Sequence, residues 1–334
     1  MIITRTPFRI SFLGGGTDYP VWFRNHPGAV LATSIDKYCY LTCRYLPEFF
    51  EHRSRVLYSK VEMVKNNADI QHPVVREALR VLGIEAGVEI HHDGDLPARS
   101  GIGSSSAFTV GLLHALHALE KIRPTQSQLA AESIEIEQSR LRENVGSQDP
   151  VTCSFGGLNR IDFEPKGGFR VSPCDLQPAR QTEFEQHLLL LFTGISRTAS
   201  EVAREQIEQI NRHENRLMRM YAMVEEGGHI LNGDGPVDSF GELLHESWML
   251  KRELSPRIST PAVDEAYEQA RAAGAAGGKL LGAGGGGFLL VFAKPDRHAD
   301  ILRRLNKFLH VPFRFESAGT QLIFDGPAND SSRA

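Results

Sequence analysis

The order of hydrophobic and polar positions in the first half of the chain predicts strands and helices in alternation. Segments 1–13, 28–44 and 88–92 are rich in β-branched and aromatic residues, or alternate apolar with polar residues, as strands do. Leucines recur at helical spacing in segment 105–121, and a second helix is predicted over 125–143. A loop rich in glycine and serine therefore joins a predicted strand to the start of a predicted helix.

The second half of the chain continues this mixture after a looser stretch between residues 173 and 183. Strands are predicted at 187–192, within 278–292, at 313–317 and at 321–324, and helices at 198–226, 237–253, 261–273 and 297–309. The mixture predicts an α+β protein with an N-terminal domain over 1–183 and a C-terminal domain over 184–326. Residues 327–334 are polar, which predicts a frayed tail.

The amino-acid composition and net charge argue against several classes of protein. The 334 residues include 41% hydrophobic and 23% charged residues, as in ordinary globular proteins. A net charge of −4 gives no basic excess, which argues against nucleic acid as a partner. No segment approaches the roughly 20 apolar residues of a membrane helix, and the N-terminus lacks the apolar run of a signal peptide. We therefore expect a cytoplasmic protein without a membrane partner, and the sequence is compatible with a homo-oligomer.

The segment from Pro97 to Ala107 is the clearest candidate for chemistry. Backbone N–H groups at the start of a helix lack partners within the helix and carry partial positive charge, which favours an anion such as phosphate. Gly101 and Gly103 let the backbone approach phosphate oxygens, and the hydroxyls of residues 104–106 can bind phosphate or Mg²⁺. The alternative is that the serines only cap the helix and the glycines only turn the chain. The combination of both with a preceding proline favours phosphate.

Neither of the two glycine-rich segments, 97–107 and 282–287, fits another common nucleotide-binding motif. The 97–107 loop lacks the lysine that precedes Ser or Thr in a Walker loop. Segment 282–287 has the glycine spacing of a dinucleotide-binding motif, which needs a helix after it. The apolar run at 288–292 predicts a strand there instead, so the dinucleotide interpretation fails.

Three segments in order along the chain, 7–19, 97–107 and 279–287, resemble the three motifs of the GHMP kinase family. Members of this family phosphorylate galactose, homoserine, mevalonate and related small molecules, and the resemblance spans almost the whole chain. It implies a first domain like domain 2 of ribosomal protein S5, a ferredoxin-like second domain, and a site in the cleft between them. It also implies that the protein uses ATP and Mg²⁺.

The resemblance implies roles for individual residues. Asp149 matches the catalytic aspartate of the family, which orients the sugar hydroxyl or accepts its proton. Arg9 matches the arginine that pairs with this aspartate and with the transferring phosphate, and Asp18 matches the aspartate that holds sugar hydroxyls. Taken alone, Asp149 before Pro150 would equally fit a loop aspartate in an Asx turn.

For Mg²⁺ the resemblance implies Glu137 with Ser105, and Ser104 and Glu135 are the alternatives. Taken alone, Glu137 also fits a solvated helix face. The residues implied for nucleotide binding are Pro97, Arg99, Gly101, Ile102, Gly103, Ser104, Ser105 and Ser106. The residues implied for the substrate are Gly15, Gly16, Thr17, Asp18, Tyr19, Arg197, Gly284 and Gly285.

Within the family, segments 14–19, 148–149, 155–159 and 193–197 most resemble kinases of D-glycero-D-manno-heptose 7-phosphate. The implied reaction phosphorylates the anomeric hydroxyl of this sugar phosphate to the 1,7-bisphosphate, for the synthesis of nucleotide-activated heptose for surface polysaccharide. L-fucokinases share part of the pattern and are the nearest alternative. A sugar or nucleotide sensor without catalytic activity is the alternative from a different class, because fold does not fix function.

The first motif also bears on the substrate. Galactokinases have a glutamate at the position of Gly15, which puts galactose in doubt here. Its absence removes a negative charge that would repel a second phosphate on the substrate. Arg160, Arg197 and Lys279 are the candidates to bind that phosphate, preferably through the two-pronged contact that arginine makes.

Overall fold

The computed structural model describes residues 1–194 and 199–326, so the predicted tail and Arg197 lie outside the described residues. The strands are β1 (Ile2–Leu13), β2 (Gly28–Tyr45), β3 (Ser54–Leu57), β4 (Val61–Val64), β5 (Val88–Gly94), β6 (Leu158–Phe163), β7 (Phe169–Pro173), β8 (Leu188–Phe192), β9 (Gly277–Leu280), β10 (Phe288–Phe292), β11 (Leu309–His310) and β12 (Gln321–Asp325). The helices are α1 (Pro20–Phe23), α2 (Pro73–Val81), α3 (Ser104–Leu119), α4 (Gln126–Ile134), α5 (Gln148–Phe155), α6 (Pro178–Gln186), α7 (Ala199–Gln209), α8 (Glu214–Asn232), α9 (Asp238–Arg252), α10 (Pro261–Ala272) and α11 (His298–Arg304).

The larger sheet has eight strands and is organised around the long strand β2. Strand β1 pairs antiparallel with β2 along most of both strands, while β6 and β5 pair with the first and second halves of β2. The order is β12-β1-β2-β5-β3-β4, with β6 on β2 and β7 on β6. Strand β12 comes from the end of the chain, so the segment predicted to close the second domain pairs with the first sheet.

The smaller sheet is antiparallel, in the order β11-β8-β10-β9. All five residues of β10 are apolar and buried, as a central strand covered on both faces requires. The strands predicted at 187–192 and within 278–292 are confirmed by β8, β9 and β10. Helix α9 packs against β9 and also reaches β1 of the larger sheet.

The two sheets share one aromatic core. The ring of Phe12 in β1 lies 5.3 Å from that of Phe184 in α6 and 5.7 Å from that of Phe240 in α9. Phe184 in turn lies 6.1 Å from Phe292 in β10. Burial of large aromatic side chains is among the strongest stabilising terms in a fold. This core therefore holds the two sheets in a fixed relation, and the cleft between them is fixed with it.

Four predicted elements differ from the structure. The helix predicted over 297–309 ends at Arg304, and Leu309 begins strand β11. The helix predicted over 198–226 is divided into α7 and α8 by a 3₁₀ turn, Ile210–His213. The helix predicted over 125–143 continues beyond α4 as a wider π-helical segment, Glu135–Arg140. The strand predicted at 313–317 is wrong, because this segment makes only one bridge, between Phe315 and Ile35. The ring of Phe315 packs into the shared aromatic core instead. No helix in the described part of the chain is long and apolar enough to cross a membrane.

Candidate active site

The three glycine-rich segments meet in the cleft. The backbone N–H of Arg9 donates to the carbonyl of Ile102 at 3.0 Å, which joins the first segment to the second. The backbone N–H of Phe288 donates to the carbonyl of Ser100 at 3.2 Å, which joins the second to the third. A Cβ added at Gly282 would lie 2.5 Å from Cα of Gly101, so these two loops touch where neither has a side chain.

The 97–103 loop leads directly into α3. Gly101 and Gly103 have φ of 83° and 73°, in the left-handed region that favours glycine. Ser100 Oγ donates to the carbonyl of Pro97 at 2.6 Å, and the backbone N–H of Arg99 donates to Ser104 Oγ at 3.1 Å. These bonds hold a tight loop in front of the helix start, where N–H groups lack partners within the helix. The arrangement fits an anion at this end of α3.

Arg9 connects this loop to Asp149. The guanidinium donates from Nε to Asp149 Oδ1 at 2.6 Å and from Nη2 to Oδ2 at 2.7 Å, a two-pronged pair. Its third nitrogen, Nη1, donates to the carbonyl of Gly101 at 2.6 Å. The Arg9 side chain is only 4% exposed whereas that of Asp149 is 24% exposed, so the carboxylate faces the cleft. Asp149 lies in the first turn of α5, and the Asx-turn interpretation does not hold.

Asp18 lies beside this pair and is almost completely buried. Its Oδ1 accepts from the backbone N–H of Gly16 and its Oδ2 from Gln148 Nε2, both at 2.9 Å. Burial raises the pKa of Asp18, and the nearby charge of Asp149 adds to the increase. A Cβ at Gly146 would collide with the Asp18 carboxylate, which explains glycine at that position.

Thr17 and Tyr19, which flank Asp18 in the sequence, differ in what their side chains lie against. Burial raises the pKa of Tyr19, and the charges of Asp18 and Asp149 add to the increase, so its phenol lies close to both. The Thr17 hydroxyl is fully buried and donates to the carbonyls of Gly14 and Ala29 at 2.8 Å. The side chain of Thr17 therefore holds the turn of the first motif, and a substrate contact of this residue stays a prediction.

Glu137 is the residue predicted to hold a metal ion. It lies on the π-helical segment Glu135–Arg140 and is 1% exposed. Its Oε2 accepts a hydrogen bond from Ser106 Oγ at 3.0 Å. Its buried Oε1 accepts none of the described hydrogen bonds, although the Thr109 hydroxyl, which donates to the carbonyl of Ser105 at 3.1 Å, lies close enough to lower the pKa of Glu137. Burial raises the pKa of Glu137 to about 8. A buried carboxylate oxygen without a partner, beside a hydroxyl, fits a hard cation such as Mg²⁺, which often takes one or two protein carboxylates plus substrate phosphates.

The structure changes the predicted partner of Glu137. Ser106 points inward to Glu137, but Ser105 is exposed, since successive helical residues point about 100° apart. Glu135, the alternative ligand, is exposed and pairs with Arg140 at 2.8 Å. The solvated-face interpretation of Glu137 is wrong, because the wider π turn directs Glu137 to the interior. Within residues 1–194 and 199–326, no group of three or more His, Cys, Asp or Glu side chains could hold a metal ion by itself.

The third glycine segment is held from the C-terminal half. The backbone N–H of Gly285 donates to the carbonyl of Ile258 at 2.9 Å, and a Cβ at Gly284 would lie 2.6 Å from the same oxygen. Lys279 is buried and its Nζ donates to the carbonyl of Phe12 at 2.7 Å. Arg160 pairs with Asp162 and Glu225, which leaves it poorly suited to grip a substrate phosphate.

Sequence reasoning missed Lys251, a buried lysine at the end of α9. Its Nζ donates to the carbonyl of Gly282 in the third glycine segment, and burial lowers its pKa to about 8. A signal was present in the sequence, because Lys251 follows Leu244 and Trp248 by seven and three positions on one face of the helix. A lysine placed in the apolar stripe of a helix is rarely buried without a specific reason.

Two family models match the chain. The model for the GHMP kinases N terminal domain matches residues 70–157, and the model for the GHMP kinases C terminal region matches residues 231–311. Together they cover about half of the chain, on both sides of the cleft that the three glycine segments line. The chain belongs to the GHMP kinase family. The two-domain fold of mixed α and β content expected from the motifs is confirmed.

Individual relatives agree with this family. A D-glycero-alpha-D-manno-heptose 7-phosphate kinase of Campylobacter jejuni is 26% identical over 92% of this GHMP kinase and 93% of its own length. A bifunctional fucokinase/GDP-fucose pyrophosphorylase of Arabidopsis thaliana is 28% identical over 89% of the chain but only 30% of its own length. The crystal structure of a D-glycero-D-manno-heptose 1-phosphate kinase from Bacteroides thetaiotaomicron superposes with a TM-score of 0.73 at 23% identity, over 97% of this chain and 99% of its own, which shows the shared fold.

Proposed function

We propose that this GHMP kinase transfers the terminal phosphate of ATP to the anomeric hydroxyl of D-glycero-D-manno-heptose 7-phosphate, giving the 1,7-bisphosphate for nucleotide-activated heptose. Its family and its kinase relatives make the chain a sugar kinase. The observation that carries the catalytic part of the proposal is the Arg9–Asp149 pair, which lies in contact with the 97–103 loop. A sensor without activity would not need a carboxylate that faces the cleft and is held there by an arginine.

The residues of the chain have separable roles in this reaction. Phosphoryl transfer passes through a loose transition state, so catalysis consists mostly of positioning and of neutralising charge. The loop 97–103 and the start of α3 supply backbone N–H groups to the phosphates, and Arg9 adds a positive charge beside them. Asp149 keeps free lone pairs on both oxygens while Arg9 holds it, so it can accept the proton of the sugar hydroxyl.

Glu137 and Ser106 would hold Mg²⁺. When bound, this ion neutralises negative charge on the phosphate oxygens. The fit rests on the buried Oε1 of Glu137, which accepts no described hydrogen bond, and on the bond that the other oxygen, Oε2, accepts from Ser106 at the start of α3. Asp18 would hold a sugar hydroxyl, because its carboxylate lies next to Asp149 and is held in place by Gly16 and Gln148.

The choice of heptose 7-phosphate rests on the Campylobacter relative, which matches over nearly the full length of both chains. Glycine in place of the galactokinase glutamate at position 15 is consistent with a substrate that carries a second phosphate. Arg197 stays a prediction as the residue that binds this phosphate.

A second candidate, an L-fucose 1-kinase, is favoured by a small cavity beside the first motif. Its lining consists of Gly16, Tyr19 and the apolar side chains of Ile210, Leu217 and Leu254, together with Gln206 and His213. The cavity has room for about one water-sized group, which suits the methyl of a deoxysugar better than a phosphate dianion. The fucokinase relative supports the same candidate.

The test is a comparison of kcat/KM for heptose 7-phosphate, the unphosphorylated heptose and L-fucose, from ADP release with ATP and Mg²⁺. We expect heptose 7-phosphate to be preferred, and ³¹P NMR of the product to show the new phosphorus coupled to the anomeric proton. Asp149→Ala is the control that ties ADP release to this site. A preference for L-fucose would select the second candidate, and a preference for the unphosphorylated heptose would refute the 7-phosphate assignment.

A further inference from the structure

Lys251 has an unusual setting for a lysine. It is the penultimate residue of α9 and is 6% exposed. Its Nζ donates to the carbonyl of Gly282, and the carbonyl of Leu280 lies 3.5 Å away. Within residues 1–194 and 199–326, no carboxylate forms an ion pair with it. A buried ammonium that has only carbonyl partners is costly to the fold, so its presence calls for a function.

A continuous set of contacts leads from Lys251 to the catalytic pair. Lys251 holds the carbonyl of Gly282, and Gly282 packs against Gly101 so closely that a Cβ would lie 2.5 Å from Cα of Gly101. The carbonyl of Gly101 accepts from Arg9 Nη1 at 2.6 Å, and Arg9 holds both oxygens of Asp149. A shift of the Gly282 carbonyl would therefore move the loop that binds phosphate and the arginine that orients Asp149.

We propose that Lys251 is a positioning residue for phosphoryl transfer, which holds the third glycine segment against the phosphate loop and thereby sets the geometry of Arg9 and Asp149. The inference rests on the kinase function proposed above and assigns that function a residue in the C-terminal half. It acts through Gly282 and Gly101 and need not touch the substrate.

The charges around Lys251 predict a pH signature. Arg9 on β1 and Lys279 on β9 oppose its protonation, while Asp18 and Asp149 favour it, and burial is the largest effect. The pKa of Lys251 is lowered to about 8, so the ammonium is lost as the pH rises through that value. Neutral lysine is a weaker donor to the Gly282 carbonyl. We therefore expect the activity of the wild-type enzyme to fall on the alkaline side of about pH 8.

The experiment compares the wild type with Lys251→Met, Lys251→Arg and the matched control Arg252→Met. Arg252 is the next residue of α9, and its charge faces Asp264 at 3.0 Å instead of the glycine segments. The first measurement is the affinity for ATP with Mg²⁺ by calorimetry, which does not depend on the identity of the sugar. Lys251→Met should weaken it about fivefold or more, as loss of an ordering hydrogen bond does, whereas Arg252→Met should leave it unchanged.

The second measurement is kcat against pH with the best acceptor found. Lys251→Met should lower kcat at least about tenfold, toward the roughly 10²-fold loss that a misplacement of about 1 Å causes. Lys251→Arg keeps a charge at all these pH values, so it should restore part of kcat and move the alkaline decline to higher pH. If Lys251→Met does not fold, the shifted pH profile of Lys251→Arg is the deciding result.

The outcomes separate this proposal from the proposed function. A wild type that phosphorylates no sugar refutes the function, while ATP affinity still tests Lys251. An active wild type with Lys251→Met equal to it in ATP affinity, kcat and pH profile overturns the role of Lys251. Equal losses in Lys251→Met and Arg252→Met would overturn it as well, because the effect would then come from charge on α9 in general.

Discussion

Replacement of Glu137 by glutamine should stabilise the metal-free protein while it impairs catalysis. The Glu137 carboxyl is buried, and only its Oε2 accepts a described hydrogen bond, from the hydroxyl of Ser106. The nearby hydroxyl of Thr109 lowers its pKa, but burial outweighs both hydroxyls. Burial raises its pKa from the ordinary 4.5 to about 8, which means that an ionised Glu137 is unfavourable until a cation binds. Glutamine has nearly the same shape and never ionises, so Glu137→Gln removes this unfavourable charge.

The size of the effect follows from linkage between protonation and folding. Between about pH 4.5 and pH 8 the folded state binds more protons than the unfolded state, so stability falls as the pH rises. Each pKa unit corresponds to about 1.4 kcal/mol, so the raised pKa makes the metal-free fold on the order of 3 kcal/mol less stable at pH 7. At pH 5 the same effect is below about 1 kcal/mol, because the pH is then only slightly above the ordinary pKa of 4.5, while the folded carboxyl is still protonated.

The assay is denaturant unfolding in the presence of a chelator, from pH 5 to pH 8.5. The free energy of unfolding of Glu137→Gln minus that of the wild type should grow with pH and level off above about pH 8. Glu135→Gln is the matched control, since Glu135 is exposed on the same segment. A difference that stays flat with pH, or a Glu137→Gln variant that is less stable at every pH, would refute the reasoning.

Repeating the same unfolding measurement with Mg²⁺ present gives a second test. A ligand that binds only the folded state stabilises it by RT ln(1 + [L]/Kd), about 2.7 kcal/mol at 100 times Kd. If Glu137 holds Mg²⁺, the ion should stabilise the wild type more at pH 8 than at pH 5, because binding requires the ionised carboxylate. The stabilisation should be lost in Glu137→Gln and kept in Glu135→Gln.

Two further predictions concern the residues around Glu137 and Arg9. Asp149→Ala should lower kcat by roughly 10²–10⁴-fold, as loss of a positioned proton acceptor does, and a variant with near wild-type turnover would remove Asp149 from the mechanism. Calorimetry should find its ATP affinity nearly unchanged, because Arg9 still binds the Gly101 carbonyl. Ser106→Ala should raise the Mg²⁺ concentration needed for half-maximal activity more than Ser105→Ala does, since of these two serines Ser106 is the one that contacts Glu137. The opposite order in a Mg²⁺ titration would restore Ser105 as the ligand.

Much of the fold could be predicted because its elements carry strong local patterns. The run 288–292 is entirely apolar and forms the central strand of the smaller sheet. The helix after the phosphate loop has 12 buried residues out of 16 and was predicted to within two residues of its ends. Short elements such as β3 and β4 were missed, because four residues carry too little periodicity to separate a strand from a loop.

The parts that could not be predicted depend on contacts between residues far apart in sequence. Whether 313–317 forms a strand was decided by the packing of Phe315 on Phe12 and Phe184, rather than by its own β-branched or aromatic content. The sequence predicted Ser105, with Ser104 as the alternative, whereas the rotation of α3 relative to the segment that carries Glu137 places Ser106 there. The spacing of motifs in the sequence identifies the segments that form the site. It does not show which side chain of a segment points inward.

Some ionisable groups of the site form an ion pair and others do not. This difference determines which of them a bound ligand can stabilise. Arg9 and Asp149 satisfy each other through two short hydrogen bonds, so their geometry exists before any ligand binds. Glu137 and Lys251 form no ion pair in the described part of the chain, and burial shifts the pKa of each in the direction that favours the neutral form. Folding therefore removes these two groups from water before any ligand binds, so ligand binding does not have to supply all of that free energy. A site arranged in this way is preorganised. A ligand that completes the site, such as Mg²⁺ at Glu137, should then stabilise the protein mainly through Glu137 and least through the catalytic pair itself.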